Sequence, residues 1–144
     1  AFSAGRFTRI QFMLYLSLII FVQYIVSNVI FPSEGEVSNE RIFNPPIFTI
    51  ILTQLAYGLL APIYEEIAIR GGLFGGLNII FKNKMFTVLV TSVIFSILHT
   101  QYSEFKSLII LFMVSLILTM AKLVSGGLLL PMMLHIFMNL LAIN

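Results

Sequence analysis

The sequence predicts an all-α fold, a polytopic transmembrane helix bundle with about five membrane segments. The mean hydropathy of the chain is +1.04. Of its 144 residues, 59% are hydrophobic and only 10% are charged. A soluble domain of this size needs a polar exterior, which this composition does not supply. Nearly charge-free runs recur at the length of a membrane span, which takes about 20 apolar residues. We therefore predict a single membrane domain.

The first predicted span covers about 7–30 and is followed by an acidic, proline-containing loop, 31–46, with Glu34, Glu36, Glu40 and Arg41. A long apolar stretch then runs from 47 to 80 and is interrupted by Pro62. It is too long for one straight span and short for two, so we expect a broken or tilted helix that carries the first polar motif.

Three further segments are predicted at 85–100, 107–124 and 128–143, separated by short polar turns. We divide the chain into N-terminal transmembrane segments with the acidic loop, 1–60, and a helical core, 61–144. If five cationic residues share one side of the membrane, the positive-inside rule places the N-terminus in the cytoplasm. These are Arg6, Arg9, Lys82, Lys84 and Lys122.

Three short clusters carry almost all the polar chemistry of the apolar segments: Glu65-Glu66-x-x-x-Arg70, Phe95-x-x-x-His99 and His135-x-x-x-Asn139. An ionisable group at bilayer depth costs roughly 2.5–3.5 kcal/mol on insertion scales. Glu66 and Arg70 have the i,i+4 spacing of an ion pair, whereas Glu65 diverges by about 100° and must face other helices. Together with two histidines on separate helices, this unpaired Glu65 predicts a convergent polar pocket. The alternative is that these groups only hold helices together by hydrogen bonds.

Elimination narrows the chemistry that such a pocket can perform. The chain has no cysteine and no aspartate, HExxH motif or GxSG motif, which argues against thiol, aspartyl, zincin-type and rhomboid-type sites. A glutamate, two histidines and an asparagine remain. The net charge of +2 is small and scattered, so nucleic acid is not an expected partner.

The three clusters resemble the motif set of the CPBP family, also called Abi or CAAX-protease-and-bacteriocin-processing proteins. That family shows EExxxR, FxxxH and HxxxN in this order, and the lead-in from Gly126 to Pro131 before the last motif is also similar. The resemblance covers about 61–140. It implies an intramembrane endopeptidase that acts on membrane-associated peptides or proteins. CAAX-type processing of prenylated substrates and bacteriocin or peptide maturation and self-immunity are the implied roles, in a bacterial cytoplasmic membrane.

The resemblance also implies a role for each motif residue. Glu65 would be the general base that activates water, assisted by His99, and the oxyanion would be held by His135 and Asn139. The supporting pair would be Glu66 and Arg70.

Two questions stay open from the sequence. We favour a mechanism without a cofactor, while zinc held by Glu65, His99 and His135 is the alternative, because two histidines and a carboxylate are a known zinc ligand set. The alternative to an enzyme is a non-catalytic bacteriocin-immunity or scaffolding protein of the same fold.

Overall fold

The computed structural model describes residues 2–30, 44–99 and 104–143. These residues form five helices and no strand: α1 (Arg9–Ile30), α2 (Ile47–Phe81), α3 (Lys84–Leu98), α4 (Phe105–Ser125) and α5 (Leu129–Ile143). The predicted all-α bundle is thereby confirmed. Most of the predicted acidic loop, 31–43, lies outside the described residues, as does the stretch 100–103.

Three of the helices, α1, α2 and α4, are long and apolar enough to cross a membrane, and α3 and α5 are shorter apolar helices. Many of their leucine, isoleucine and phenylalanine side chains are exposed on the outer surface of the bundle. Such a surface is unfavourable in water and suits contact with lipid chains.

The helix α2 is a continuous run of 35 residues. At 1.5 Å per residue it is about 50 Å long, well beyond the roughly 30 Å of a hydrocarbon core. The expected irregularity takes the form of two π-helical segments, Gln54–Leu60 and Ile67–Leu73, instead of a break between two helices. The boundary expected at residue 60 falls within this helix. Single π-helical turns in α-helices are frequent at functional sites, and the second segment carries Arg70.

Local signals in the sequence set the ends of several helices. Thr8 begins α1 with a capping box, in which its hydroxyl accepts from the Gln11 backbone and the Gln11 side chain accepts from the Thr8 backbone. Lys82 ends α2 in the left-handed conformation at φ 52°, and Asn83 then caps α3. Gly126, at φ 73°, ends α4, a position that favours glycine because it has no Cβ. The connections α2–α3 and α4–α5 are therefore short.

An apolar core lies where α1, α4 and α5 meet. Its fully or nearly fully buried members are Ile19, Val22, Val26, Val114, Ile117, Leu118, Ala121, Leu130 and Leu134. The segment before α1 crosses the α4–α5 turn, where the Arg6 amide donates to the Ser125 carbonyl over 2.8 Å and the Leu128 amide donates to the Ser3 carbonyl over 2.9 Å. A second interface, in which α2 packs against α3 and α5, contains the motif residues.

Candidate active site

An ion pair on α2 forms the base of the site. Glu66 and Arg70 are both fully buried, and Arg70 Nη1 lies 3.1 Å from Glu66 Oε1. Arg70 Nη2 donates across the bundle to Ser115 on α4, at 2.7 Å from its hydroxyl oxygen and 3.4 Å from its carbonyl oxygen. The guanidinium carbon lies 4.5 Å from the centroid of the Phe95 ring. A carboxylate, a hydroxyl and an aromatic face thus compensate for the burial of this cation.

His135, on α5, joins this pair to the second glutamate. Its Nδ1 lies 2.8 Å from Glu66 Oε1, and its Nε2 lies 3.6 Å from Glu65 Oε2. Because the carboxylate of Glu66 is ion-paired with Arg70, it can only accept, so His135 Nδ1 carries the hydrogen. The Nε2 atom of a neutral ring therefore presents a lone pair to Glu65.

His99, at the end of α3, approaches Glu65 in the same way. Its Nδ1 lies 2.8 Å from the Phe95 carbonyl oxygen, and its Nε2 lies 3.7 Å from Glu65 Oε2. A carbonyl oxygen can only accept, so the hydrogen is again on Nδ1. The Phe95 ring contacts both imidazoles, with centroid distances of 4.4 Å to His99 and 6.2 Å to His135. Phe95 therefore packs against the two rings that face one carboxylate oxygen.

The two adjacent glutamates differ in access. The Glu65 side chain is 28% exposed and that of Glu66 is fully buried. Glu65 and His99 open on a cleft of about 330 Å³, whose remaining lining is Tyr64, Ala68, Ile69, Phe95 and Leu98. Of the two carboxylates, Glu65 is thus the one at the cleft, while Glu66 is buried beside Arg70.

The structure brings together three of the four residues expected to share one cavity. Glu65, His99 and His135 meet at the Glu65 carboxylate, although His135 lies behind Glu65 and not on the cleft wall. Asn139 instead donates from Nδ2 to the Tyr57 carbonyl oxygen over 3.0 Å. An amide group has two hydrogens, so this contact leaves the second one for another acceptor.

The candidate zinc ligands offer suitable donor atoms. Both imidazoles hold Nδ1–H against an oxygen acceptor and direct Nε2 towards Glu65, which is the orientation that metal-binding histidines adopt. Zinc also requires donors at about 2.0–2.2 Å from the ion. Within the described residues, no group of three or more acidic or histidine side chains is placed closely enough to hold a metal ion. The donor types themselves match those of a zinc site.

Ser115 contacts Arg70 in this site, and the sequence did not predict this contact. It lies in α4 between apolar residues, and a serine in a membrane helix usually bonds to the carbonyls of its own helix. Its sequence position carries no motif. Only its fully buried hydroxyl beside an arginine from another helix makes it distinctive.

Comparison with known proteins identifies the family of the chain. The family model described as "Type II CAAX prenyl endopeptidase Rce1-like" matches residues 47–141. The chain belongs to this family. That result confirms the resemblance to CAAX proteases drawn from the three motifs, and with the three long apolar helices it shows an integral membrane protein.

The chain is also similar to a protein of Escherichia coli described as "Uncharacterized 24.3 kDa protein". The two are 41% identical over 90 residues, which is 60% of this chain and 40% of that relative. The chain thus aligns with less than half the length of the relative. No solved structure matches the chain.

Proposed function

We propose that this chain is an intramembrane endopeptidase of the CAAX type, which hydrolyses peptide bonds in membrane-associated peptides or proteins. The observation that carries the proposal is the approach of two imidazole Nε2 atoms to within 3.7 Å of one oxygen of Glu65. This oxygen belongs to a carboxylate that opens on an apolar cleft. Membership of the endopeptidase family supports the same reaction.

The proposed chemistry starts from the three acceptors at Glu65. Two lone pairs and a carboxylate oxygen repel one another unless a hydrogen lies between them, so this point attracts a water molecule whose two hydrogens go to Glu65 and His99. Glu65 takes a proton from this water, assisted by His99, while the water oxygen forms a bond to the substrate carbonyl carbon. Glu65 then returns the proton to the amine as the carbon–nitrogen bond breaks.

The negative charge on the substrate oxygen needs donors, for which we propose His135 and Asn139. For this role the neutral ring of His135 takes up a proton from solvent at Nε2 when substrate binds, and the carboxylate of Glu66 at 2.8 Å from Nδ1 compensates the charge of the doubly protonated ring. Asn139 contributes the amide hydrogen that its bond to Tyr57 does not use. Both residues would act only on the developing oxyanion, which is how such donors lower a barrier.

The lining of the cleft supports a class of substrate. Most of its lining residues are apolar or aromatic: Tyr64, Ala68, Ile69, Phe95 and Leu98. A bilayer-embedded peptide or a prenylated carboxyl terminus would be compatible with such walls. The family description supports prenylated CAAX substrates, and bacteriocin or peptide maturation is a second use of the same reaction. We place the chain in a bacterial cytoplasmic membrane with its N-terminus inside.

The test uses purified protein in lipid nanodiscs and an internally quenched peptide ending in a farnesylated CAAX sequence. The substitution Glu65→Gln keeps the shape of the side chain and removes its basicity, so cleavage should fall at least about 1,000-fold. Glu104→Gln is the matched control, because it removes the same charge from an exposed residue. Its rate and the unfolding midpoints of both variants should equal those of the wild type.

The same peptide without the farnesyl group tests the substrate class, and mass spectrometry of the products locates the cleaved bond. Peptidomics of membranes from cells with intact or Glu65→Gln protein extends the search to other substrates. Cleavage by Glu65→Gln at the wild-type rate would refute the role of Glu65. Wild-type protein that cleaves no peptide in either assay would favour the non-catalytic immunity or scaffolding function.

A further inference from the structure

We propose that Ser115 is a positioning residue of the site. Its hydroxyl on α4 holds Arg70 in place, and Arg70 acts through Glu66 to fix which nitrogen of His135 faces Glu65. This inference rests on the proposed function, because the orientation of His135 matters to catalysis only if Glu65 and His135 act on a substrate. The distances along this chain of contacts carry the argument.

The first link is the contact between Ser115 and Arg70. Arg70 Nη2 lies 2.7 Å from the Ser115 hydroxyl oxygen and 3.4 Å from the Ser115 carbonyl oxygen. Only the shorter contact lies within the usual range for a hydrogen bond, which ends near 3.2 Å. The Ser115 carbonyl also accepts from the Thr119 hydroxyl over 2.7 Å. The hydroxyl is therefore the principal anchor of this end of the guanidinium.

The second link is a single oxygen of Glu66. Its Oε1 accepts from Arg70 Nη1 at 3.1 Å and from His135 Nδ1 at 2.8 Å. Its other oxygen, Oε2, has no hydrogen-bond partner among the described residues. The carboxylate is thus held through one atom, and a guanidinium that turns away would let it rotate. His135 would then lose the fixed acceptor that keeps its hydrogen on Nδ1.

Ser115 differs from an ordinary serine of a membrane helix. Thr119, one turn further along α4, donates its hydroxyl to a carbonyl of its own helix, as such residues usually do. Ser115 instead accepts from a cation on α2, and both partners are fully buried. A residue that only allowed close packing would need no hydroxyl, so removal of the oxygen distinguishes the two roles.

The decisive measurement is nitrogen NMR of protein labelled with [¹⁵N]histidine. The chain has two histidines, so each spectrum reports His99 and His135 alone, assigned with a His99→Asn variant. Wild-type protein should show the hydrogen on Nδ1 in both rings. In Ser115→Ala the His135 signals should move to a mixture of the two tautomers, while those of His99 stay unchanged.

The matched control is Ser92→Ala. Ser92 on α3 is as fully buried as Ser115, and its hydroxyl has no hydrogen-bond partner among the described residues. The same atom is therefore removed without a change in the contacts of Arg70, and both histidine signals should match the wild type. Ser115→Thr, which keeps the hydroxyl, should restore the wild-type spectrum. Ser115→Cys keeps the unbranched side chain with a larger and weaker acceptor, and should give an intermediate spectrum.

Kinetics supply the second readout. Ser115→Ala should lower kcat roughly tenfold with KM changed less than about twofold, because the effect lies on the orientation of the reacting groups and not on substrate binding. Ser92→Ala should keep the wild-type kcat. If the wild type cleaves no peptide, the proposed function fails, and the NMR result still decides the positioning role. A Ser115→Ala protein with an unmoved His135 tautomer overturns the inference, whether or not its unfolding midpoint shifts.

Discussion

The bundle has two interiors that differ in what holds them together. The apolar side is the core between α1, α4 and α5, which contains Ile19, Leu118 and Leu134. The polar side is the cluster of Glu65, Glu66, Arg70, Phe95, His99, Ser115 and His135, where charged groups hold one another. The same helices contribute to both sides, since Ser115 and Leu118 share α4, and Leu134 and His135 are neighbours on α5. One packing arrangement therefore serves stability and chemistry at once.

The two sides should respond differently to substitution. Contacts on the apolar side are non-directional, so loss of one side chain removes its own packing and little else. Groups on the polar side share atoms, as Glu66 Oε1 does between Arg70 and His135. Removing one member of such a network therefore costs more free energy than the sum of its pairwise contacts. The difference can be measured by separating the amount of folded protein from the activity of each folded molecule.

The largest effect is expected on the polar side, from Arg70→Ala. This substitution leaves Glu66 as a fully buried carboxylate without its cation, and breaking a buried pair in this way costs about 3–5 kcal/mol. We expect a lower unfolding midpoint, a lower protein level in membranes and inactive folded molecules. Chemical unfolding in nanodiscs and cleavage per folded molecule are the measurements. Normal stability with activity alone lost would place Arg70 among the catalytic residues and break the comparison.

A smaller effect is expected on the apolar side, from Leu118→Ala. Leu118 is fully buried in the core, and the cavity that its removal leaves should cost roughly 2–3 kcal/mol, near the lower end of the range for buried leucines. Cleavage per folded molecule should stay at the wild-type value, because no polar contact of the site passes through this side chain. If cleavage per folded molecule falls along with the stability, the two sides are coupled through α4.

Much of the fold followed from the sequence, because charge-free runs of spanning length have few alternatives. The positions of the segments match the five helices, and the i,i+4 spacing of Glu66 and Arg70 placed the ion pair. The π-helical segments of α2 were not predicted. They depend on one extra residue per turn, which leaves no distinct pattern of hydrophobic residues.

The candidate site was predicted less completely. Motifs name the residues that meet, and the meeting of Glu65, His99 and His135 was expected. The sequence did not predict the rotation of α5 about its axis. The contact of His135 Nδ1 with Glu66 and that of Asn139 with the Tyr57 carbonyl were therefore not expected. The contact of Ser115 with Arg70 could not be predicted, because a single serine in an apolar helix gives the same sequence pattern whichever way its side chain faces.

The most direct test of the account is the cleavage rate of protein stripped of divalent metal by exhaustive chelation. The central claim is that Glu65 itself activates water, so wild-type protein should keep its full rate and contain no stoichiometric zinc, while Glu65→Gln stays inactive and folded. Loss of wild-type activity on stripping and its return on adding zinc would contradict this claim, and loss of bound metal in His99→Ala would identify a ligand.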